Sequence, residues 1–413
     1  MKILFLNNFY YLRGGSERVL FEEMRMLREA GHEVAVYARR HEKNEPAEFS
    51  ELFPAPMDTE RLKISPQALR MAGELIYSWP ARLGLREVLE RFRPDIAHAH
   101  NIYGRLSTSV LDLLKKSRIP TVLTLHDLKL LCPSYLMLNH DSICERCKGG
   151  RFYHAVLTKC HKDSYPASFV YAFETWFNVF FRKYDSVRYF IAPSRFLRDK
   201  AVEYGWDAEK IVHIPNFIDG QRLTSSTHAG GYSLFLGRLS MEKGVRTLLL
   251  ALKNLPVQTY LVVAGTGPER EALRELAAEN ALPATFPGHL NGKELEKVIS
   301  GAKVVIIPSE WYENAPLSVL EAFSYGKPVI GARIGGIPEM IEEGVNGFLF
   351  EPGNAADLQD KWTRFLQLPA ERTYAMGRNA KDKVEREYGA SSHYERLMEV
   401  YHRAMGAARP AGQ

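Results

Sequence analysis

The chain has 413 residues, of which 46% are hydrophobic and 25% charged; this is globular composition at a length that favours two domains and excludes a disordered or fibrous chain. Its net charge of +5 is too small for a dedicated nucleic-acid binder, and no uncharged apolar run is long enough to span a bilayer. The charge is uneven: residues 101–200 carry 16 Lys and Arg against 8 Asp and Glu, which suits an anionic partner or a solvated basic face.

KILFLNN reads as a strand, LRGGSER as a glycine-rich break, VLFEEMRMLREAGHE as a helix and VAVYA as the next strand, a βαβ unit. The opening does not resemble a signal peptide, so a cytoplasmic location is expected. Strand-like runs recur at PDIAHAH, PTVLTLHD and RYFIAPS, then at SLFLGRL, TYLVVAGTG, KVVIIPS, PVIGARIGG and NGFLF. This alternation predicts an α/β protein with two doubly wound domains, whose strand ends face each other across a ligand-binding cleft. The expected boundaries are residues 1–219, a linker at 220–232, a second domain at 233–385 and a C-terminal helix at 386–413 that packs back on the first domain.

In IIPSEWYENAPLSVLEAFSYGKPVI, a buried strand ends at Pro308. Asn314 stands where an N-cap would, so Ala315, Pro316 and Leu317 should open a helix whose free N–H groups attract an anion. Glu313 and Glu321 are spaced to reach one side of a cleft, where carboxylates accept hydrogen bonds from sugar hydroxyls; an ordinary surface pair is the plain alternative. Arg238 and Lys243 follow a strand, a cation pair suited to a diphosphate. Gly265 and Gly267 end another strand, where small residues admit a nucleotide.

Gly14 and Gly15 either form a tight turn or offer N–H groups to a diphosphate. His126 and Asp127 follow the strand TVLTL, at its cleft end. His98 and His100 end IAHAH and are expected to face opposite ways, with His100 and Asn101 on the cleft side; a buried structural histidine is the alternative for each.

All four cysteines, Cys132, Cys144, Cys147 and Cys160, fall in an insert at about 132–161 spaced C-x11-C-x2-C-x12-C. They are candidate ligands of a structural zinc, with His140 and His161 as substitutes; free thiols or disulfides are the alternatives. The aromatic run SFVYAFETWFNVFFRK either packs as core under an acceptor site or meets an anionic membrane surface, such as the inner face of the membrane.

Taken in order, GRL-x3-KG, AGTGP, PSEWYENAPLSVLEAFSYGKPVI, GGIPE and NGFLF resemble glycosyltransferase family 4, retaining enzymes of the GT-B fold that use nucleotide sugars. The resemblance implies that Glu313 holds donor-sugar hydroxyls and Glu321 the ribose, and that Arg238 and Lys243 grip the diphosphate with the N–H groups of Ala315 to Leu317. It implies that Gly14 and Gly15 touch the diphosphate and that His126 lies beside the transferred sugar. It also implies a glycan or lipid-linked acceptor on the first domain, no catalytic metal and no nucleic-acid partner. Phe217 stands where the family's interdomain segment has glycine. An epimerase, a phosphorylase or a non-catalytic nucleotide-sugar-binding subunit are the alternatives on the same architecture.

Overall fold

The computed structural model describes residues 1–57, 66–140, 142–219, 230–256 and 258–406, the side chains of 66–69 excepted. It divides into two compact units, Met1–Ile214 with Tyr394 onward, and Pro215–His393. The change of unit falls upstream of the expected linker, of which residues 220–229 lie outside the described residues.

The first unit is built on β1 (Lys2–Leu6), β2 (Glu33–Tyr37), β3 (Ile96–Ala99) and β4 (Thr121–Thr124). A two-stranded hairpin follows, β5 (Leu138–Asn139) and β6 (Ser142–Ile143), then β7 (Tyr189–Ala192) and β8 (Ile211–His213). The main sheet runs β2-β1-β3-β4-β7-β8. Every pairing in it is parallel. Parallel strands are covered on both faces, and β3 and β4 are buried along their whole length.

The second unit holds β9 (Tyr232–Leu236), β10 (Leu261–Ala264), β11 (Ala284–Gly288), β12 (Ala302–Ile307), β13 (Val329–Ala332) and β14 (Gly347–Phe350), in the order β11-β10-β9-β12-β13-β14. In a doubly wound sheet, ligands bind beyond the strand ends where the order reverses. Here that point lies between β9 and β12, and in the first unit between β1 and β3. Neither β8 nor β11 stands out in the sequence: β8 has three residues, and β11 (ATFPG) contains a proline and ends in glycine.

The C-terminal helix Ala390–Gly406 joins the first unit from Tyr394 onward. The Tyr401 hydroxyl lies 2.7 Å from His98 Nδ1, and the Tyr394 hydroxyl 3.0 Å from His32 Nε2.

The aromatic helix spans Tyr165–Phe180, capped by the Ser164 hydroxyl, which accepts from the Ala167 N–H. Of its two expected settings, core or surface, it takes the second. Ser168, Glu174, Thr175 and Asn178 are buried, while Phe169, Phe173, Trp176 and Phe180 are exposed. The reason is a buried ion pair: Lys129 Nζ lies 2.7 Å from Glu174 Oε2. Asn178 Nδ2 donates to Glu174 Oε1 at 2.6 Å, and the Thr108 hydroxyl donates to Asn178 Oδ1 at 2.7 Å. A satisfied buried charge pair fixes the inner face, so the rings point outward and are not core.

Removing one partner leaves the other charge buried and unpaired. Lys129→Ala is therefore expected to cost about 3–5 kcal/mol, and the double change Lys129→Met with Glu174→Leu markedly less. Urea unfolding of the two variants checks this ordering.

Candidate functional site

Three strand-end loops of the second unit meet around Glu313. The loop after β9 carries Gly237, Arg238 and Lys243; the loop after β12 carries Ser309 to Pro316; the turn after β13 carries Gly335 and Gly336. They touch backbone to backbone. A Cβ on Gly244, which sits at φ +67°, would lie 1.8 Å from the Pro308 carbonyl. A Cβ on Gly335, at φ +59°, would lie 2.1 Å from the Glu313 carbonyl, and the Gly336 N–H donates to that carbonyl at 2.7 Å. Glycine is required at both places by conformation and by space. The Glu310 N–H donates to the Glu242 carbonyl at 2.9 Å, and the Thr247 hydroxyl to Glu310 Oε1 at 2.6 Å, which locks the first two loops together.

These contacts bring Lys243 onto Glu313. Lys243 Nζ donates to Glu313 Oε1 at 2.6 Å, and the Ser309 hydroxyl donates to the same oxygen at 2.7 Å. Glu313 is buried while Lys243 keeps part of its side chain in solvent. Burial alone would raise the Glu313 carboxyl, but the Lys243 charge and the hydrogen bonds from Lys243 and Ser309 hold it below the usual carboxylate range. Lys243 also lies over the Trp311 ring at 5.0 Å. Arg238 is exposed and makes no ion pair among the described residues.

The helix expected to open at Ala315 spans Leu317–Ser324, and its N-cap is Pro316 rather than Asn314. Pro316 has no N–H, so the donors there are Ala315 and Leu317, joined by Ser318. Glu313 precedes the helix, so an angle counted along a helix from Glu313 to Glu321 does not apply; Glu313 is buried and Glu321 partly exposed. Gly326 does end the helix, at φ +63°. Gly265 and Gly267 are also required by the packing of the protein itself. Cβ atoms there would lie 1.8 Å from the Gly237 carbonyl and 2.2 Å from the Leu239 carbonyl, so these glycines seat the Arg238 loop.

In the first unit, Gly14 caps the helix Gly15–Glu29 with extended backbone. His98 and His100 face the same way, ring centroids 4.3 Å apart, because residues two apart on a strand share a face. Both are fully buried. Glu23, from the helix, places Oε2 3.3 Å from His100 Nε2, and His100 Nδ1 lies 2.7 Å from His126 Nε2. Burial, followed by the neighbouring His100, lowers His126 to about 3, so its ring is neutral. Burial pushes the neighbouring Asp127 up to about 6, with the Lys129 N–H, donating at 2.9 Å, opposing it. The Asn101 N–H donates to Asn7 Oδ1 at 3.0 Å, tying the ends of β3 and β1 together.

Glu23 was not among the expected residues. The sequence signal is a carboxylate four residues after Val19 and four before Leu27, on the buried stripe of its helix. Between His100 Nδ1 and His126 Nε2 one ring donates and the other accepts.

All four cysteines are free thiols lining one small cavity with Ser134, Glu145, His154 and Tyr204. Burial and the neighbouring sulfurs push Cys147 up to about 12 and Cys160 up to about 11. The expected substitutes are elsewhere: His140 is exposed, and His161 stacks on Tyr171 at 3.8 Å. Neither lines the cavity.

Two family models match the chain: Glycosyltransferase Family 4 over residues 13–222 and Glycosyl transferases group 1 over residues 227–383. Over 156 residues it is 37% identical to the sulfoquinovosyl transferase SQD2 of Arabidopsis thaliana, covering 37% of this chain and 30% of that one. Over 177 residues it is 38% identical to a GDP-mannose-dependent alpha-mannosyltransferase of Corynebacterium glutamicum, covering 39% and 40%. The match thus spans less than half the length of either relative. Among solved structures, a sucrose-phosphate synthase from Thermosynechococcus elongatus superposes with a TM-score of 0.72 at 20% identity, over 98% of this chain and 99% of that one. HepE from Anabaena, solved in complex with UDP, gives 0.67 at 19% identity, over 98% and 100%. These likenesses establish the two-unit α/β architecture as the GT-B fold.

Nitrogen-resolved NMR of labelled imidazoles should find His126 neutral through the usual histidine range, because burial lowers it to about 3. A His126 that takes up its second proton near the ordinary value of 6.5 rejects that environment. Gly335→Ala should lower stability by about 1–3 kcal/mol in a urea titration, through strain against the Glu313 backbone.

Proposed function

Because the chain belongs to glycosyltransferase family 4, we propose that it moves a sugar from a nucleotide diphosphate sugar to a hydroxyl of a glycan or lipid-linked acceptor, with retention at the anomeric carbon. The cell-surface polysaccharides and glycolipids are the expected products. The observation that carries the reading is the Lys243–Glu313 pair at the β9/β12 reversal, with Arg238 exposed on the same loop and the start of the helix Leu317–Ser324 behind it.

A departing diphosphate gathers negative charge as the glycosidic bond breaks. Arg238 would fork onto its oxygens and Lys243 would act as a point charge, with the N–H groups of Ala315 and Leu317 completing the cradle. Glu313 aims Lys243 before the donor arrives, and its own carboxylate would accept from sugar hydroxyls. Glu321 is assigned to the ribose. Gly14 and Gly15 would add N–H groups to the diphosphate. His126 would lie beside the transferred sugar, with Asp127, His100 and Asn101 around it. HepE has been solved with UDP-glucose as well as UDP, which supports a donor of this class. No step is routed through a metal, and no nucleophilic carboxylate is assigned. The acceptor attacks from the side the diphosphate leaves, with the leaving phosphate taking its proton; a trapped sugar–enzyme adduct would contradict this.

A thermal-shift screen of UDP-, GDP- and ADP-sugars identifies the donor, and turnover with lipid-linked acceptors tests the transfer. Arg238→Ala and Lys243→Ala are each expected to lower kcat about 10²–10³-fold in a folded chain. Wild-type rates in both reject the site. Consumption of donor without acceptor would favour the epimerase reading.

The outward rings of the helix Tyr165–Phe180 support peripheral contact with an anionic membrane. Phe180 is 63% exposed, and Phe169, Phe173, Trp176 and Phe180 stack in series along the helix. Lys162 and Arg182 are exposed near its two ends. No described helix is long and apolar enough to cross a membrane. Rings at headgroup depth flanked by cations are the pattern of interfacial helices. Sedimentation with phosphatidylglycerol vesicles should recover the chain, and Phe173→Ser with Phe180→Ser should release it; equal recovery of both proteins refutes the contact.

A further inference from the structure

The insert at about 132–161, ahead of the helix Tyr165–Phe180, is poorly equipped to hold itself. Its regular structure is a pair of two-residue strands, a turn of 3-10 helix at Lys148–Gly150 and the short helix Tyr153–Leu157. Its hydrophobic cluster is Cys147, Phe152, Ala155 and Ala172, with Val156 and Cys160 against it. Yet Tyr135, Met137, His140, Lys159, Lys162 and Asp163 all stand at positive φ, a conformation that side chains resist. Something must over-determine these turns.

The four thiols converge on one cavity from four separate turns. Cys132 closes the turn after β4, its N–H donating to the Leu128 carbonyl at 2.9 Å. Cys144 leaves the hairpin, its N–H donating to the Met137 carbonyl at 2.8 Å. Cys147 caps the 3-10 turn, followed by Gly149 at φ +72° and Gly150 at φ +79°. Cys160 follows Lys159 at φ +47°, and its N–H donates to the Ala155 carbonyl at 3.1 Å. A C-x2-C pair leaving a short hairpin, with left-handed glycines after it, lets two sulfurs face one point. A second observation points the same way. The Tyr204 side chain lines the cavity, and its hydroxyl is buried with no hydrogen-bond partner among the described residues. A metal-bound thiolate is an acceptor that such a hydroxyl lacks.

We propose that Cys132, Cys144, Cys147 and Cys160 bind one zinc ion as a closed four-sulfur site that braces the insert. Each thiol releases its proton to solvent as its sulfur binds the ion. With four protein ligands no position is left for water, so the ion is structural. Its failure would leave the transferase reading untouched.

The test is elemental mass spectrometry of the full chain purified with reductant and without chelator, beside a thiol titration and a UDP thermal shift on the same sample. One zinc per chain is expected, with the four thiols shielded until an organomercurial releases the ion in step with their reaction. Cys147→Ser should lose stoichiometric zinc and melt at a lower temperature. If that variant does not fold, mercurial-driven release from the native chain still decides the matter. A metal-free chain with reactive thiols, two disulfides, or iron in place of zinc overturns the site. The UDP shift reports on the 215–393 unit, so donor binding is judged separately.

Discussion

The second unit is organised around one buried carboxylate that must stay charged. Taking Glu313 out of water is costly, and it is retained because Lys243 and Ser309 both donate to one of its oxygens. Those donors arrive from separate loops, so the loops must be fixed to within hydrogen-bond tolerance. The glycines do this by letting backbones touch: Gly244 under Pro308, Gly335 under Glu313, Gly265 and Gly267 under the Arg238 loop. A cationic group held ready by its counter-charge needs little rearrangement when an anion replaces water, the sense in which a site is preorganised.

The first unit uses the same physics for a different end. Glu174 is buried with Lys129, and Glu23 with two histidines. In each case a helix carries one carboxylate on its inner face, and the orientation of the helix follows from it. For the aromatic helix the result is inverted amphipathicity, polar within and aromatic without. Composition alone suggests the reverse, because a ring-rich helix is usually read as core.

Much of the architecture is legible in the sequence because parallel strands buried on both faces read as short apolar runs. Ten of these are visible, and the switch-point loops follow from their order. Residues of the candidate site adjacent in sequence to a strand end, such as Arg238 and Glu313, can be picked out by type and place. What cannot be read is set by tertiary contact. Nothing in the string says that Pro316 rather than Asn314 caps the helix, or that Gly265 is small for the sake of Gly237. Glu23 left a trace, a charge on an apolar stripe, but its meaning depends on where β3 places His100. The facing of His98 and His100 needed only the two-residue period of a strand.

The return of the last helix to the first unit has a consequence for how the chain is made. Tyr401 supplies a partner to His98, a fully buried ring on a central strand, from more than three hundred residues downstream. A ribosome delivers residues 1–214 long before Tyr401 emerges, so the nascent first unit holds His98 through Thr124 and without Tyr401 while the second is synthesised. Truncation behind residue 393 would therefore take a hydrogen bond out of the core of the amino-terminal half as well as trim the carboxyl-terminal one.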